Sequence, residues 1–292
     1  MANNLGRIPL RTRVRELERM YRIVEKEIMK EMLLVDVGNY REVKAVKTQE
    51  KINGLINMLN RSAIKWSKNA VPEAYDRGYE MAKTRLEILG AEKNGEISEK
   101  IHEQAIDIEI DKTIDVLIAA DLSIKINVGM YLYLIRQGSQ KLSQIQEFDF
   151  RDEEVIGGLL DDAIRAGKTR SYAKNLVVDY IKTEVGEGKF IQIRGRNYNM
   201  RKYADLVAKT RLRTVQTEAV LNSCKQYDND LVEVSAHGTD CIICIPYEGN
   251  VYSLSGNHPI YPFLDSYAPW HPRCQHSIRP TSEVALERRT NA

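Results

Sequence analysis

The sequence contains few of the residues that break helices, glycine and proline. It also contains few of the residues that characterise collagen-like or disulfide-linked chains. Glycine (17) and proline (8) are few among the 292 residues, which argues against a collagen-like chain. Four cysteines are too few for a disulfide-dense miniprotein. The hydrophobic share of 43% and the charged share of 29% are those of ordinary globular proteins, so a wholly disordered chain is not expected either.

Long hydrophobic runs are also missing. The longest apolar stretches, residues 116–120 and 130–135, are far shorter than the about 20 residues that span a bilayer. The N-terminal residues lack the apolar segment of a secretory signal. We therefore expect a chain with no membrane span that is made in a cytoplasm, where cysteines stay reduced.

Neither sign of charge dominates, because 43 Lys and Arg face 41 Asp and Glu. Total charge therefore gives no signal for nucleic acid, but its distribution is uneven. Between residues 189 and 213, Asp205 is the only acid among eight basic residues: Lys189, Arg194, Arg196, Arg201, Lys202, Lys209, Arg211 and Arg213. Such a cluster is either a solvated helix face or a surface that contacts phosphates.

Helical periodicity fills most of the first 185 residues. Apolar residues recur there in steps of three and four, which predicts amphipathic helices. We expect one helix over residues 11–35, a second from about 40 to 69, and a third that begins at Pro72. Further helical stretches are predicted over about 98–142, 152–166 and 171–185.

The pattern changes at residues 186–188, Gly-Glu-Gly. A short hairpin is predicted from Phe190 to Met200 around Gly195. A helix from Arg201 to about Cys224 and two strands, residues 231–234 and 251–254, follow. The sequence predicts a mainly α protein: an elongated helical region over residues 1–188, then a small α+β domain over 189–292.

Two ligand pairs mark the C-terminal domain. Cys241 and Cys244 are separated by two residues, and so are His271 and Cys274 further along. Thiolate and imidazole are the ligands that zinc prefers, and four of them close a tetrahedral site. The spacing predicts a structural zinc-knuckle-like Cys3His site that holds a segment with little apolar mass. Asp240 is a candidate hydrogen-bond partner of a ligand, and His237 and His276 are alternative ligands.

Other interpretations of the same residues remain open. The cysteines are alternatively reduced, buried thiols, or Cys241 and Cys244 form a redox pair. A hydrolase or nuclease would use His237, Asp240 and His271 as acid, base and metal-site residues. His237, His258 and His276 are otherwise ordinary histidines, and Cys224 is expected to be a core residue.

The residues around the cysteines resemble a known family. The run from Asp230 to Gly256, DLVEVSAHGTDCIICIPYEGNVYSLSG, is similar to the signature of minor capsid proteins of tailed phages, in particular the minor capsid protein 2 type. It is more distantly similar to Mu-F-like head-morphogenesis proteins. The run WHPRCQH over residues 270–276 matches the terminal His-Pro-x-Cys element of the family, and residues 203–210 with Glu218 resemble its preceding helix.

This resemblance implies a virion protein present in few copies near the portal vertex, inside or at the capsid, and made in the bacterial host cytoplasm. Such proteins are thought to act in head assembly and in DNA packaging or ejection, and they are not established enzymes. The implied partners are the portal protein, the major capsid protein and viral DNA, in a multi-copy assembly. The helices would then dock to portal subunits, and the basic cluster would contact phosphates.

Overall fold

The computed structural model describes residues 10–36, 39–94, 98–144, 190–193 and 196–290, together with residues 172, 175, 176 and 179. The protein is mainly helical with a small C-terminal sheet region. In the described residues the helices are α1 (Arg11–Leu33), α2 (Glu42–Ile88), α3 (Lys100–Gln144), α4 (Met200–Gln226) and α5 (Glu283–Thr290). The strands are β1 (Ile191–Ile193), β2 (Arg196–Tyr198), β3 (Leu231–Val234), β4 (Val251–Ser253) and β5 (Ile278–Pro280).

The chain forms two compact units. Unit 1 takes its described residues from Met1–Leu17, Ile64–Asp115 and Asp205–Ala292, and unit 2 takes them from Glu18–Ala63 and Val116–Ala204. The predicted boundary near residue 188 lies outside the described residues and stays a prediction. The helical stretch predicted over 152–166 also lies outside them, whereas residues 172, 175, 176 and 179 of the stretch predicted over 171–185 are helical.

The first predicted helix is confirmed as α1. The six apolar positions that follow its periodicity are all buried: Val14, Leu17, Tyr21, Val24, Ile28 and Met32. Because they recur every three or four residues, they form one continuous face of the helix, as an amphipathic pattern requires.

The second and third predicted helices are a single helix, so that prediction was wrong. Helix α2 runs through Pro72 without ending. Proline in a helix interior removes one backbone hydrogen bond and costs about 3 kcal/mol. Buried residues lie directly before and after it, with Ala70 and Val71 on one side and Ala74 and Tyr75 on the other. Their burial offsets the cost of the proline, and α2 ends at Ile88, just before Gly90.

Helix α3 confirms the long fourth helix, and neither Gly129 nor Gly138 interrupts it. Among the described residues it is the one helix long and apolar enough, over residues 100–140, to cross a membrane on length and composition alone. Asp121 and Lys125 lie within its most apolar stretch, and charged residues at such positions are costly in a bilayer. One face is buried in the protein, as in the core helix of a bundle, through Leu117, Ala120, Ile124 and Val128.

A three-stranded antiparallel sheet lies in unit 1, in the order β4-β3-β5. Val232 pairs with Tyr252 of β4 and with Pro280 of β5. The sheet and α4 share one hydrophobic cluster, which also includes Ala82 of α2. This cluster contains Val220, Leu221, Cys224, Val232, Val234, Tyr252, Leu264 and Ile278.

The remaining predicted elements are confirmed, and two were missed. Strands β1 and β2 form the predicted hairpin, in which Ile191 pairs with Tyr198. Strand β5 was missed because it is only three residues long and contains Pro280, which an edge strand tolerates. Helix α5 was missed as well, although Ser282 caps it: the Ser282 Oγ accepts a hydrogen bond from the Ala285 amide at 3.3 Å.

Candidate metal centre

The two predicted ligand pairs form equivalent turns in unit 1. The Cys244 amide donates to the Cys241 carbonyl at 2.9 Å, and the Cys274 amide donates to the His271 carbonyl at 3.0 Å. In each pair the backbone therefore turns back over three residues, so both side chains are presented on the same side. Arg273 adopts a φ of 69° in the second turn, a left-handed conformation that is uncommon for a residue with a side chain.

The structure brings the four predicted ligands into one cluster. The Nε2 atom of His271 lies 3.3 Å from the Cys241 Sγ and 3.1 Å from the Cys244 Sγ. The Cys244 Sγ lies 3.8 Å from the Cys274 Sγ. This distance excludes a disulfide, whose sulfurs are about 2.05 Å apart, and it matches the edge of about 3.8 Å between two thiolates bound to a tetrahedral zinc.

The donor atoms fall into two overlapping groups. Those of Cys241, Cys244 and His271 lie within 4.8 Å of one another, and so do those of Cys244, Cys274 and His276. All three residues of the second group are buried, whereas Cys241 and His271 of the first are half-buried. Cys244 therefore lies between two imidazoles, and the chemistry of both groups allows them to hold a metal ion.

Hydrogen bonds fix the tautomers of both histidines. The Nδ1 atom of His271 lies 2.9 Å from the Pro272 carbonyl oxygen. Since a carbonyl only accepts, Nδ1 carries the proton and the Nε2 lone pair of neutral His271 faces the sulfurs. In His276 the order is reversed: Nε2 donates to the Glu248 carboxylate at 3.3 Å, and Nδ1 faces the Cys274 Sγ at 3.6 Å.

Glu248 is the part of the site that the sequence did not predict. Its carboxylate accepts hydrogen bonds from the backbone amides of His237 and of Thr239. These two bonds, and the one from His276, lower the pKa of Glu248 to about 2. Glu248 thus remains ionised and links the loop before Cys241 to His276. Its only signal in the sequence was its place in the quoted run, since no spacing rule connects it to the cysteines.

The cysteine pKa values differ with their surroundings. Hydrogen bonds from the backbone amides of Cys244 and Ile243 lower the pKa of Cys241, and the nearby charge of Asp240 acts weakly against them. Burial, together with hydrogen bonding to the Cys274 thiol, raises the pKa of Cys244 to about 12. Cys224 lies outside the site: it is fully buried in the core, as expected, and burial raises its pKa to about 12.

The other candidate residues near the site take different roles. Asp240 is exposed and acts on Cys241 through its charge. His237 is exposed, and its Nε2 lies 2.9 Å from the Ser235 Oγ rather than among the sulfurs. His258 pairs with Glu283 at 3.1 Å. None of these three belongs to either donor group among the described residues.

The basic cluster is only partly available for phosphate. Arg211 was a predicted contact, but its guanidinium pairs with the buried carboxylate of Glu109 and is itself largely buried. Lys209 pairs with Asp205 at 2.5 Å. Arg213 donates a hydrogen bond to the Cys274 carbonyl, which places it beside the candidate metal site. Asp205 thus neutralises Lys209 locally, whereas the acid that pairs with Arg211, Glu109, is distant in the chain.

The other five basic residues do not define a phosphate-binding surface, because only two of their side chains are described. Arg201 and Lys202 are exposed in the first turn of α4. Lys189 and Arg194 lie outside the described residues, and so does the side chain of Arg196. The predicted DNA contact therefore stays a prediction for these five residues.

Comparison with known proteins identifies the region that contains the site. Residues 163–282 match the family model of phage minor capsid protein 2. This segment is therefore similar to phage minor capsid protein 2. The match contains both ligand pairs, His276 and Glu248, and it confirms the resemblance seen in the sequence. No curated protein and no solved structure matches the chain.

The match supports a structural role in the phage head, and the matched family implies a virion location and association with other virion components. Helices α1 to α3 lie entirely before the matched segment. The family model therefore covers the candidate metal centre and does not cover α1 to α3.

Proposed function

We propose that the protein is a minor structural component of the head, present in few copies near the portal vertex, where it assists head assembly and DNA packaging or ejection. The observation that supports this is the match of residues 163–282 to phage minor capsid protein 2. Its partners on this proposal are the portal protein, the major capsid protein and viral DNA, and it is made in the host cytoplasm before assembly.

Helix α3 offers the surface that such docking requires. Five large apolar side chains at spacings of three or four residues are exposed on it: Ile118, Leu122, Ile126, Met130 and Tyr133. Because residues at these spacings share one face of a helix, they form an exposed stripe, which we call the α3 stripe. An apolar stripe of this length is typical of a surface that packs against another protein.

Particle incorporation tests the docking role. We expect Leu122→Glu and Ile126→Glu, each made in the phage genome, to lower the amount of the protein in purified heads by about tenfold or more, which is about 1.4 kcal/mol or more of lost binding. Lys125→Glu is the control, since it introduces the same acidic side chain at an exposed position beside the stripe without removing an apolar side chain. Normal incorporation of both stripe variants would contradict docking through α3, and absence of the wild-type protein from purified particles would contradict the structural role itself.

The second part of the proposal is a structural zinc ion in the minor capsid region. The three cysteines and a histidine, His271 in the prediction from spacing, would hold it and join the two ends of the loop-rich segment from residue 234 to 280. Zinc would supply a cross-link and no reaction, because four protein ligands leave no open position. The proximity of the sulfur and imidazole atoms supports this.

Metal content tests this part. Protein purified without chelator is expected to contain about one zinc per chain by elemental analysis, and Cys241→Ser and Cys274→Ser should each reduce that content strongly. A zinc content near zero in the wild type, with the Cys241 thiol reacting freely in the native state, would exclude the metal.

The proposal also includes that the protein is not an enzyme. Neither His237 nor Asp240 lies in a donor group among the described residues, so the geometry offers no support for the hydrolase or nuclease interpretation. Incubation with DNA and divalent metal ions should give no cleavage. Cleavage that is lost in His237→Ala would overturn this part.

A further inference from the structure

We infer that His276, oriented by Glu248, is the histidine of the metal site in place of His271, with Cys244 and Cys274 from its own donor group and with Cys241, whose Sγ lies within 4.8 Å of that of Cys244, as the third sulfur ligand. This inference rests on the proposed zinc site and identifies its ligands. Spacing in the sequence favoured His271, because His271 and Cys274 repeat the interval of Cys241 and Cys244. The structure offers three independent geometric reasons to choose His276.

The first reason is burial. His276, Cys244 and Cys274 are 4%, 1% and 2% exposed, respectively. Structural zinc sites exclude water, and their ligands are held by the surrounding protein. His271 is half-buried and is followed by the exposed Pro272 and Arg273, so water reaches that side of the cluster. Cys241 is half-buried too, so burial distinguishes the two histidines but does not by itself select the sulfur ligands.

The second reason is the hydrogen-bond partner of each imidazole. The Nε2 atom of His276 contacts a Glu248 carboxylate oxygen, and the other contacts of that carboxylate are backbone amides of the same loop. A carboxylate behind an imidazole fixes the ring and increases the electron density at the other nitrogen, which is the common arrangement behind metal-bound histidines. His271 has only the carbonyl of the adjacent Pro272.

The third reason is distance. A thiolate and an imidazole bound to one tetrahedral zinc lie about 3.6 Å apart, as follows from bonds of about 2.3 and 2.05 Å. The Cys274 Sγ and the His276 Nδ1 are separated by 3.6 Å. The Nε2 atom of His271 is closer to both of its sulfurs, at 3.1 and 3.3 Å, as in thiol-to-imidazole hydrogen bonds.

Cobalt substitution of the full-length protein distinguishes the two histidines. Co²⁺ replaces zinc in such sites, and its visible bands report the number of thiolate and imidazole ligands. We expect His276→Ala to lower Co²⁺ and Zn²⁺ affinity by about 10- to 100-fold or more and to alter the cobalt spectrum. His271→Ala should keep both the spectrum and the affinity within about threefold, and His276→Cys should restore tight binding with a spectrum shifted towards four sulfurs.

Glu248 is tested as a positioning residue in the same assay. Glu248→Gln keeps an oxygen acceptor but loses the charge, so we expect an about tenfold loss of affinity with the Cys3His spectrum retained. Asp228→Asn is the control, because Asp228 is an exposed acid of unit 1 that belongs to neither donor group. A Glu248→Gln protein with unchanged affinity would remove this role for Glu248.

The outcomes separate this inference from the proposal it rests on. Wild-type protein that binds neither Co²⁺ nor Zn²⁺ would overturn the metal site as a whole. Tight metal binding that is weakened by His271→Ala, alone or as much as by His276→Ala, would overturn the choice of His276 and leave the metal site standing. Binding that neither substitution weakens would overturn the choice as well.

Discussion

Asp228 shows how a single backbone angle is set by a helix end. It has a φ of 49° directly after α4, and the amides of Asp228 and Asn229 donate to the carbonyls of Lys225 and Cys224. This is the Schellman arrangement, in which the residue with positive φ is usually glycine. Gly90 has the same position after α2, with a φ of 76°.

We expect Asp228→Gly to stabilise the protein, because glycine adopts this angle without the steric cost that a Cβ brings. The free energy of unfolding should rise by about 0.5 kcal/mol, since the greater freedom of glycine in the unfolded chain offsets part of the gain. Asp228→Ala, which removes the same carboxylate but keeps a Cβ, should destabilise it instead. Denaturant unfolding of the two variants measures both changes in stability. If Asp228→Ala stabilised the protein, a Cβ would carry no steric cost at this backbone angle.

Asp230 gives a residue-scale prediction that depends on pH. Burial opposes its ionisation, but hydrogen bonds from the Ser253 hydroxyl and the Ser255 amide outweigh burial and lower the pKa of Asp230. A lowered pKa means that the ionised carboxylate stabilises the fold above the unfolded pKa of about 4. This contribution is lost as the pH falls through the lower pKa of the folded state.

The variant Asp230→Asn should therefore be less stable than the wild type at pH 6, and the difference should shrink as the pH is lowered below about 4. Unfolding free energies measured at several pH values test this, with Asp228→Asn as a control at an exposed acid two residues away. A difference that stays constant from pH 6 to pH 2 would show that the charge of Asp230 does not matter.

At the scale of elements, α2 and α4 approach each other closely at Gly78. A Cβ added to Gly78 would lie 2.7 Å from the Gln216 carbonyl oxygen and 2.9 Å from the Ala219 Cβ. Both neighbours belong to α4 and cannot move without shifting that helix. Gly54, in the same helix α2, has nothing within 4 Å of the corresponding position.

We therefore expect opposite effects of the same substitution within one helix. Gly78→Ala should destabilise the protein by about 1–3 kcal/mol through overpacking, whereas Gly54→Ala should stabilise it by about 0.5–1 kcal/mol through helix propensity. Thermal and denaturant unfolding of both variants measure this difference. Equal effects would mean that the helices separate at Gly78 with little cost.

For the molecule as a whole, we expect the proposed metal to stabilise the loop-rich segment from residue 234 to 280 more than it stabilises α1 to α3. Trp270 reports on this region, because it stacks on Tyr247 at 4.3 Å between ring centres and lies 5.8 Å from the His276 ring. The second tryptophan, Trp66, lies in α2. Substitution of Trp66 by Phe therefore leaves Trp270 as the only source of tryptophan fluorescence.

In that Trp66→Phe protein, a strong chelator should shift the Trp270 emission to the red while most of the helical circular dichroism remains. The reason is that the loop-rich segment depends on metal binding for its folding, whereas α1 to α3 have apolar cores of their own. The Cys274→Ser version should already show the shifted emission without chelator. Simultaneous loss of both signals would mean that the metal supports the entire fold.

Elements whose residues interact locally could be predicted from the order of residues. The apolar period of α1, the hairpin at residues 190–200, strand β3 and the two turns with paired ligands follow from neighbours a few residues apart. Pro72 could not be judged from its neighbours alone. Its destabilisation of the helix is local, whereas the burial of Val71 and Tyr75 that offsets it depends on the rest of unit 1.

Contacts between side chains far apart in the chain could be identified from the folded structure but not from the order of residues. Arg211 is paired with Glu109, His276 rests on Glu248, and β5 joins the sheet beside β3. Each of these contacts depends on how the helices and strands pack and on which charged groups are buried together. No periodicity or spacing in the sequence predicts this packing. The chemical types of the metal ligands could therefore be read from the sequence, whereas the choice between two histidines required their burial and their hydrogen bonds.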